Sequence, residues 1–533
     1  PVPRPARAGH GDKNPMRIGI DVGGTNTDAV LMDGHRVVAA CKCPTSADVR
    51  GGIIAALRTL LDRPDMDRRA IDYAVIGTTH FTNAFVQARD LTPVAAIRLG
   101  APATLALPPF AGWPDAMRRA VEGLSAVIAG GHQFDGREIS PLDEAALLSV
   151  ARDIRAKGLR AASICSVYSP TNAALELRAE EILGNELPDL GISLSHRIGR
   201  IGLLERESAT IMNAALLDLA AHVVASFRQA FADLALDIPF YVSQNDGTIL
   251  NAATVARTPV LTFASGPTNS MRGAALLSGL TDAIVIDIGG TTSDIGVIQA
   301  GYPRESNIPV DIGGVRTNFR MPDMLSVGLG GGSLVVEDGD TMRVGPRSVG
   351  YRLIEDGLVF GGDVLTATDI AVASGLADIG DASRVRHLDK AMLARARAAI
   401  VRLLEDGVDR MKSSSHDVPV VLVGGGAILV EGGLRGVSRI VRLEHGDVAN
   451  AVGAALAQVG GEVDQIYVYS QVGRDNALAA ARELALSRAV EAGADPATLE
   501  IVDIDEVPID YVPGQAVRVR VKATGNLQAG ERQ

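Results

Sequence analysis

The sequence predicts a mixed α/β protein built from two similar halves that face each other across a cleft. Three observations support this architecture. The chain has 533 residues, which is too many for one ordinary hydrophobic core. Its composition is 47% hydrophobic but only 4% aromatic, which suits an α/β protein rich in alanine, valine, leucine and glycine. A strand–turn–strand pattern near the start recurs in the second half of the chain, which indicates an internal duplication.

The charge and the cysteine content argue against several classes of protein. The formal net charge is −12 and no basic block occurs, so we expect no nucleic-acid partner. No apolar run is long enough to suggest a membrane span, and residues 1–15 are polar and proline-rich without the apolar core of a signal peptide. Cys41, Cys43 and Cys165 lack a second pair at zinc spacing, so we expect reduced thiols and a cytoplasmic protein.

The predicted organisation follows from the order of apolar runs and helical spacings. We expect long helices at residues 205–234, 388–411 and 476–491, together with several short buried strands. We expect a disordered extension at residues 1–15, a first half at 16–204, a second half at 205–460 and a small α/β appendage at 461–533. The helix at 205–234 is the predicted connection between the halves. The predicted strands are at 17–22, 73–76, 161–166, 283–288 and 419–423.

The duplicated motif is the main clue to function. Residues 20–28, IDVGGTNTD, match residues 286–294, IDIGGTTSD, almost position by position. One such glycine turn is explained by a plain hairpin, but two distant copies with matching aspartates and hydroxyls favour phosphate binding. Glycine lets backbone N–H groups approach an anion, and the hydroxyls add donors. The predicted phosphate-binding residues are Gly23, Gly24, Thr25, Asn26 and Thr27 in the first copy and Gly289, Gly290, Thr291, Thr292 and Ser293 in the second.

The aspartates of the two copies predict a divalent cation. A carboxylate repels phosphate but holds Mg²⁺, usually through water, and the cation bridges to phosphate oxygens. We expect Asp21, Asp287 and Asp294 to serve this metal, and Asp21 and Asp287 to be catalytic; capping of strand ends is the alternative. A third element, VVLVGGGA at 420–427, runs a buried strand into Gly424, Gly425 and Gly426, whose bare backbone can lie against a purine and ribose.

These elements, taken in order, resemble the phosphate-1, phosphate-2 and adenosine motifs of the actin/Hsp70/sugar-kinase superfamily. Within it the chain resembles the A-subunit group of hydantoinases and 5-oxoprolinases over about residues 16–460. It departs from longer members in its short C-terminal region and in having DMLS at 323–326, where many members carry a histidine. The resemblance rests on residues 19–28, GTTHFTNA at 77–84, SGP at 265–267, residues 287–294, GLGGGS at 328–333 and residues 424–427.

The resemblance implies two ribonuclease-H-like domains around a nucleotide cleft, with ATP and Mg²⁺ as cofactors. It also implies that a small cyclic amide or imide, of hydantoin, N-methylhydantoin, thiohydantoin or 5-oxoproline type, is opened after phosphorylation of its carbonyl oxygen. We expect an oligomer and allow for a separate B-type partner subunit. We expect the hinge between the halves near Glu205–Glu207 and around the adenosine strand.

The roles of two residues and the function itself have alternatives. His80, in the loop after a strand, is a candidate for polarising the ring carbonyl or orienting water, and is equally well explained as a loop histidine without a role. Arg316 is a candidate carboxylate clamp, for which a surface salt bridge is the alternative. A small-molecule kinase of the same fold and a non-catalytic nucleotide switch or scaffold are the competing functions. A reductive activase is disfavoured because three scattered cysteines are too few to hold an iron–sulfur cluster.

Overall fold

A computed structural model describes residues 15–23, 26–44, 49–63, 66–306, 309–319, 321–339, 341–509 and 514–528. The expected N-terminal extension therefore lies outside the described residues except for Pro15, and so do Gly24 and Thr25 of the first turn. The rest of the chain forms two large sheets, a smaller parallel sheet and two separate hairpins.

The first sheet starts with the first copy of the duplicated motif. Strand β1 pairs antiparallel with β2 and parallel with β4, and apolar residues such as Ile18 and Ile20 are fully buried because helices cover the sheet. The predicted strands at 17–22 and 73–76 are confirmed, each within two residues. The elements of this segment are β1 (Met16–Val22), β2 (Asn26–Asp33), β3 (Arg36–Pro44), α1 (Val49–Leu61), β4 (Ile71–Thr78) and α2 (His80–Val86).

A four-stranded parallel sheet is inserted next, with its own apolar core. Its order is β6-β5-β7-β8, and only β7 was predicted from the sequence. The elements of this insertion are β5 (Val94–Ala101), α3 (Asp115–Val121), β6 (Glu122–Ala129), α4 (Glu144–Lys157), β7 (Ala161–Ser166), α5 (Ala174–Glu186) and β8 (Gly191–Leu194).

The chain then returns to the first sheet through a long helix. Contrary to the expectation from the sequence, this helix is apolar and long enough to cross a membrane, but 61% of its most apolar window is buried in the protein. It packs in the core of the first sheet, so the predicted boundary at residue 205 falls inside the first half rather than between the halves. The elements are α6 (Leu203–Asp233), β9 (Phe240–Ser243), β10 (Thr248–Asn251), α7 (Ala252–Arg257) and α8 (Ser265–Ser278).

The second sheet repeats the hairpin of the first. Strands β11 and β12 are antiparallel, and β19 lies parallel to β11, as β4 does to β1. Helix α11 covers the sheet with an apolar face that includes Ile400, Leu404 and Val408. The strands of this sheet are β11 (Ala283–Ile288), β12 (Ser293–Gln299), β13 (Tyr302–Pro303), β16 (Met324–Val327), β19 (Val418–Val423) and β20 (Val437–Arg442). The two separate hairpins are β14 (Val310–Ile312) with β15 (Val315–Thr317) and β17 (Ser333–Asp338) with β18 (Thr341–Ser348). The helices of this segment are α9 (Leu353–Asp356), α10 (Ala367–Ala373), α11 (Lys390–Met411) and α12 (Ala449–Ala455).

The C-terminal segment extends the first sheet rather than forming a separate appendage. Strand β21 pairs in parallel with β10, and β23 and β22 complete a nine-stranded sheet of order β22-β23-β21-β10-β9-β4-β1-β2-β3. The physical reason is that Gln458 and Val459, at the start of β21, pair with β10 of the first sheet, and the strand then continues as the neighbour of β23. The elements are β21 (Gln458–Val468), α13 (Tyr469–Val472), α14 (Arg474–Glu491), β22 (Glu500–Pro508) and β23 (Ala516–Gly525).

Two helices carry the chain between the sheets and cross each other closely. A Cβ on Gly273 of α8 would lie 1.9 Å from the carbonyl oxygen of Ala449, and one on Gly453 of α12 would lie 1.9 Å from that of Asn269. The backbones therefore touch without intervening side chains. The hinge predicted at Glu205–Glu207 is misplaced, because Glu207 is buried in an ion pair with Arg98 inside the first half.

Candidate functional site

The two copies of the duplicated motif fold into equivalent hairpins, whose first aspartates, Asp21 and Asp287, are close enough for their charges to interact. In the first, Asp21 lies opposite Asp28 and the N–H of Gly23 donates to the carbonyl of Asn26 at 3.0 Å. The second repeats this arrangement, with Asp287 opposite Asp294 and the N–H of Gly289 donating to the carbonyl of Thr292 at 2.9 Å. The backbone geometry of the predicted duplication is therefore present in both halves.

Each hairpin has a parallel neighbour strand that ends in another predicted motif. In the first half Asp21 is aligned with Gly77, so helix α2, which starts at His80, follows close to the carboxylate. In the second half Asp287 is aligned with Val423, and the three glycines follow directly. Because the carboxyl ends of parallel strands share one edge of a sheet, the two motifs of each half meet at one edge of their sheet. The charge of Asp287 acts on Asp21, so these two edges lie near each other.

The carboxylates of the first hairpin are buried and share one donor. Asp21 is 5% exposed, and the side-chain amide of Asn450 donates to Asp21 at 2.8 Å and to Asp28 at 3.1 Å. Lys42 on β3 forms an ion pair with Asp28 at 2.7 Å. Burial, together with the charge of Asp28, raises the pKa of Asp21 to about 7. Burial also raises the pKa of Asp28, against the opposing effect of Lys42.

The carboxylates of the second hairpin receive hydroxyl donors instead. Ser270 of α8 donates to Asp287, and Ser326 of β16 donates to Asp294, each at 2.5 Å. Burial raises the pKa of Asp287, and burial together with the charge of Asp287 raises the pKa of Asp294 to about 6. Among the described residues neither carboxylate forms an ion pair.

The glycine run at 328–333 packs against the turn of the second hairpin and forms hydrogen bonds with it. The N–H groups of Gly331 and Gly332 donate to the carbonyls of Gly289 and Gly290 at 3.0 and 2.7 Å. A Cβ on Gly330 would lie 2.5 Å from the backbone nitrogen of Thr291, so only glycine fits there. The run therefore fixes the shape of the turn and leaves its opposite side available for a ligand.

The predicted phosphate donors differ in their availability. Thr291 and Thr292 are exposed at the tip of the second turn, as a phosphate ligand requires. Ser293 is buried and its hydroxyl donates to the carbonyl of Leu329 at 2.7 Å, so it anchors the glycine run. In the first copy Asn26 and Thr27 begin β2, and Thr27 is fully buried.

The three glycines after β19 have two different roles. A Cβ on Gly424 would lie 2.3 Å from the Asp287 carboxylate, and one on Gly426 would lie 2.4 Å from the side chain of Ile288. These two glycines allow the loop to pack on the end of β11. A Cβ on Gly425 meets nothing within 4 Å, so this glycine is the one with open space for a flat ligand.

His80 begins helix α2, and its backbone N–H donates to the hydroxyl of Thr78 at 3.1 Å. Burial lowers the pKa of its imidazole, which keeps the ring neutral near physiological pH. Arg316 forms an ion pair with Glu205 at 3.4 Å and is largely exposed, which agrees with the surface alternative. Asp311 accepts from the N–H of Gly314 at 2.8 Å and stabilises its own hairpin turn.

The residues present fit a hydrated divalent cation better than a directly ligated one. Among the described residues no group of three histidine, cysteine, aspartate or glutamate side chains is arranged to hold a metal ion. Yet Asp21 and Asp287 are close enough for their charges to interact. Hard carboxylate oxygens around a cleft with excess negative charge suit Mg²⁺ held through water and phosphate oxygens. Asp21, Asp287 and Asp294 are thus brought to one site, but not to one coordination sphere.

Comparison with known proteins identifies the family. Sequence models described as the hydantoinase/oxoprolinase N-terminal region and as hydantoinase/oxoprolinase match residues 17–187 and 206–411. The chain belongs to the hydantoinase/oxoprolinase family. It is 27% identical to the caprolactamase subunit alpha of Pseudomonas jessenii over 75% of this chain and 60% of that subunit. It is 28% identical to the acetophenone carboxylase gamma subunit of Aromatoleum aromaticum over 67% of this chain and 53% of that subunit. This member therefore spans little more than half the length of these relatives.

Solved structures confirm the predicted fold class. The crystal structure of the ATP-dependent caprolactamase from Pseudomonas jessenii superposes with a TM-score of 0.75 at 20% identity, covering 96% of this chain and 88% of that one. Nucleotide-free acetone carboxylase superposes with a TM-score of 0.67 at 17% identity, covering 98% and 89%. The family and fold assigned from the motifs are both confirmed.

Proposed function

We propose that this family member opens a cyclic amide or imide ring at the expense of ATP, and that the cleft between its halves binds the nucleotide. The observation that carries the proposal is the pair of equivalent hairpins whose aspartates, buried in the first and half-buried in the second, lie close enough to interact. Membership of the hydantoinase/oxoprolinase family favours a cyclic amide as the substrate, since one relative is named as a caprolactamase subunit.

The reaction needs ATP for a chemical reason. Resonance gives the amide C–N bond partial double-bond character, so its carbon is a poor electrophile. Transfer of the γ-phosphoryl group to the carbonyl oxygen makes the carbon electrophilic, and water then attacks it. The C–N bond breaks as the ring nitrogen takes up a proton, which leaves an open-chain acyl phosphate. A second water attacks the acyl carbon and releases phosphate that keeps the original carbonyl oxygen. Such a reaction needs positioning and charge stabilisation more than a strong nucleophile.

The side chains of the cleft have the properties that these steps need. The second turn presents backbone N–H groups and the exposed Thr291 and Thr292 to phosphate oxygens. Gly425 leaves space for the adenosine. Mg²⁺, when bound, neutralises phosphate charge, and Asp21 and Asp287 would hold its water ligands. We propose that His80, which follows the strand paired with β1 and whose imidazole pKa is lowered by burial, orients the ring carbonyl or the attacking water.

An isotope experiment tests the proposal. Hydantoin, N-methylhydantoin, thiohydantoin, 5-oxoproline and caprolactam are each offered with ATP and scored for substrate-dependent phosphate release. With carbonyl-labelled ¹⁸O substrate we expect the label in inorganic phosphate. Unlabelled phosphate would show that water attacks an unactivated carbonyl, and a stable phosphorylated product would establish the kinase alternative. No substrate-dependent turnover, even with a partner subunit, would refute the proposed reaction.

A second candidate function is supported by the acetophenone carboxylase relative. ATP-dependent carboxylation of a ketone would use the same nucleotide site, so the panel also includes acetophenone with bicarbonate. Both relatives are named as subunits, and we therefore propose that this chain acts with a partner subunit. Copurification from the native source, followed by assay of the complex, tests that proposal.

A further inference from the structure

Helix α8 presents neighbouring side chains to the two halves of the cleft. Ser270 donates to Asp287 of the second hairpin. The preceding residue, Asn269, is directed toward Asp21 of the first hairpin. The helix therefore supplies one polar side chain for each of the two equivalent aspartates.

Asn269 differs from Ser270 because its side chain forms no hydrogen bond within the described part of the chain. Asn269 is fully buried, and neither atom of its side-chain amide has a hydrogen-bond partner within the described part of the chain. The Oδ1 atom of Asp21 also lacks a partner there, although its Oδ2 accepts from Asn450. Buried polar groups in proteins are almost always paired, so three unpartnered atoms on these two side chains indicate a bound polar group.

Gly77 shows that two of these atoms lie close together. A Cβ on Gly77 would lie 2.4 Å from Oδ1 of Asp21 and 2.7 Å from Nδ2 of Asn269. The two atoms are therefore no more than about 5 Å apart, and one water molecule can bridge two groups up to that separation with two hydrogen bonds. An alanine at position 77 would bring its methyl group into collision with both atoms.

We infer that Asn269 is a positioning residue which, together with Asp21, fixes a water molecule of the hydration shell of the nucleotide-bound divalent cation. This inference rests on the proposed function, because it assigns the water to the Mg²⁺–nucleotide complex. The amide is suited to the task because it offers both a donor and an acceptor, and so orients the water whichever way its protons point. Asp21 then binds the cation through this water rather than directly.

The test replaces Asn269 by leucine, which has similar volume but no polar atoms. Binding of ADP is measured by calorimetry with Mg²⁺ and with EDTA. We expect the Mg²⁺-dependent gain in ADP affinity to fall by about 10- to 100-fold in Asn269→Leu, as when the partners that orient metal ligands are removed. Affinity in EDTA should not change. The electron paramagnetic resonance spectrum of Mn²⁺–ADP bound to the protein should also change, since a water ligand loses its partner.

Stability separates this role from a merely structural one. Asn213 on α6 is also fully buried, but its amide donates to Ser193 at 2.9 Å and to the carbonyl of Arg257 at 2.8 Å. We expect Asn213→Leu to lower the melting temperature of the nucleotide-free protein, whereas Asn269→Leu should not lower it. Gly77→Ala is the second variant, and it should lose the same Mg²⁺-dependent affinity.

The outcomes distinguish the inference from the function on which it rests. Wild-type Mg²⁺ dependence in Asn269→Leu, or an equal loss of ADP affinity with and without Mg²⁺, would overturn the role of Asn269 while leaving the ATP site intact. If the wild-type protein bound no nucleotide with Mg²⁺, the proposed function would be wrong and the inference would fall with it.

Discussion

The two aspartate hairpins share the same strand register and closing hydrogen bond but have different electrostatic surroundings. Each places two aspartates opposite one another and closes its turn with one glycine N–H. In the first, the carboxylates share the amide of Asn450, and Lys42 neutralises Asp28. In the second, each carboxylate has a single serine hydroxyl. The difference shows that the turn is a local property of the motif, whereas its charge is set by distant segments.

This contrast between the hairpins suggests a division of labour between the halves. The first hairpin holds the carboxylate with the pKa of about 7 beside the His80 loop. The turn of the second hairpin accepts hydrogen bonds from the glycine run at 328–333 and exposes Thr291 and Thr292. We therefore expect the first half to contribute mainly cation and substrate chemistry and the second half to contribute mainly phosphate binding.

The largest expected effect comes from removing one carboxylate from either hairpin. Asp21→Asn and Asp287→Asn should each reduce ATP turnover at least about 1,000-fold, roughly 4 kcal/mol of lost transition-state stabilisation. Each should also abolish the increase in melting temperature that Mg²⁺–ATP produces in the wild type. A full increase in either variant would show that this hairpin does not serve the nucleotide.

The pH dependence of stability without nucleotide should differ between the halves. A carboxyl with a raised pKa in the folded state makes folding less favourable as pH rises, from its unfolded pKa up to its folded pKa. Asp21 has this effect between pH 3.8 and about 7, and Asp294 between pH 3.8 and about 6. Relative to wild type, Asp21→Asn should therefore gain stability with rising pH up to about 7, and Asp294→Asn only up to about 6.

The expected gains in the free energy of unfolding are on the order of 4 kcal/mol for Asp21→Asn and 3 kcal/mol for Asp294→Asn. They are reached at a pH where the wild-type carboxyl is fully ionised, and they follow from about 1.36 kcal/mol per unit of pKa difference. Urea unfolding at pH 5, 6, 7 and 8 measures them. A gain that is constant across this range would contradict the assigned acidities.

The support behind the second turn can be tested with a matched pair of glycines. Gly330→Ala would place a methyl group against the backbone of Thr291, and we expect a loss of about 1–3 kcal/mol in the free energy of unfolding. A Cβ on Gly433 would meet nothing within 4 Å, and the backbone there is not left-handed, so Gly433→Ala should have little effect. If the two substitutions changed the denaturant midpoint equally, the close packing of Gly330 on the backbone of Thr291 would not be important for stability.

The smallest effects should come from the donors to the carboxylates. Asn450→Ala removes two hydrogen bonds in the first hairpin and should destabilise by about 2 kcal/mol at pH 8, while Ser326→Ala removes one in the second and should cost about 1 kcal/mol. Both losses should shrink at pH 5, where the carboxylates take up protons. If Ser326→Ala lost more stability than Asn450→Ala, the proposed contrast between the two hairpins would be wrong.

The sequence predicted the parts of this site that depend on local pattern. The duplicated turn, the neighbouring strands and the helix at 388–411 are present close to their predicted positions. The register set by the Asp33-Gly34 turn would have placed Cys41 opposite Asp28. Lys42 takes that position because the register shifts by one residue between Leu31 and Met32, which the turn does not predict. Asn450 could not have been found from local pattern either, because it lies more than 400 residues from its partners and its own surroundings carry no motif.

The misplaced boundaries have a related cause. Helix α6 and strands β21–β23 carry ordinary helix and strand patterns, which give no information about the sheet they join. Pairing between β10 and β21 links residues about 200 positions apart and is decided by tertiary packing. The C-terminal segment was therefore recognised as α/β structure but assigned to the wrong unit.

The backbones of α8 and α12 contact each other directly at Gly273 and Gly453, where the chain passes between the two large sheets. We therefore expect the two halves to rotate about this contact more easily than they slide along it. The same two helices carry Asn269, Ser270 and Asn450, which are directed at the aspartates of both hairpins. We therefore expect a change in the angle between the two halves to alter the hydrogen bonds that these aspartates accept. The ionisation of the aspartates would then depend on how far the two halves have closed.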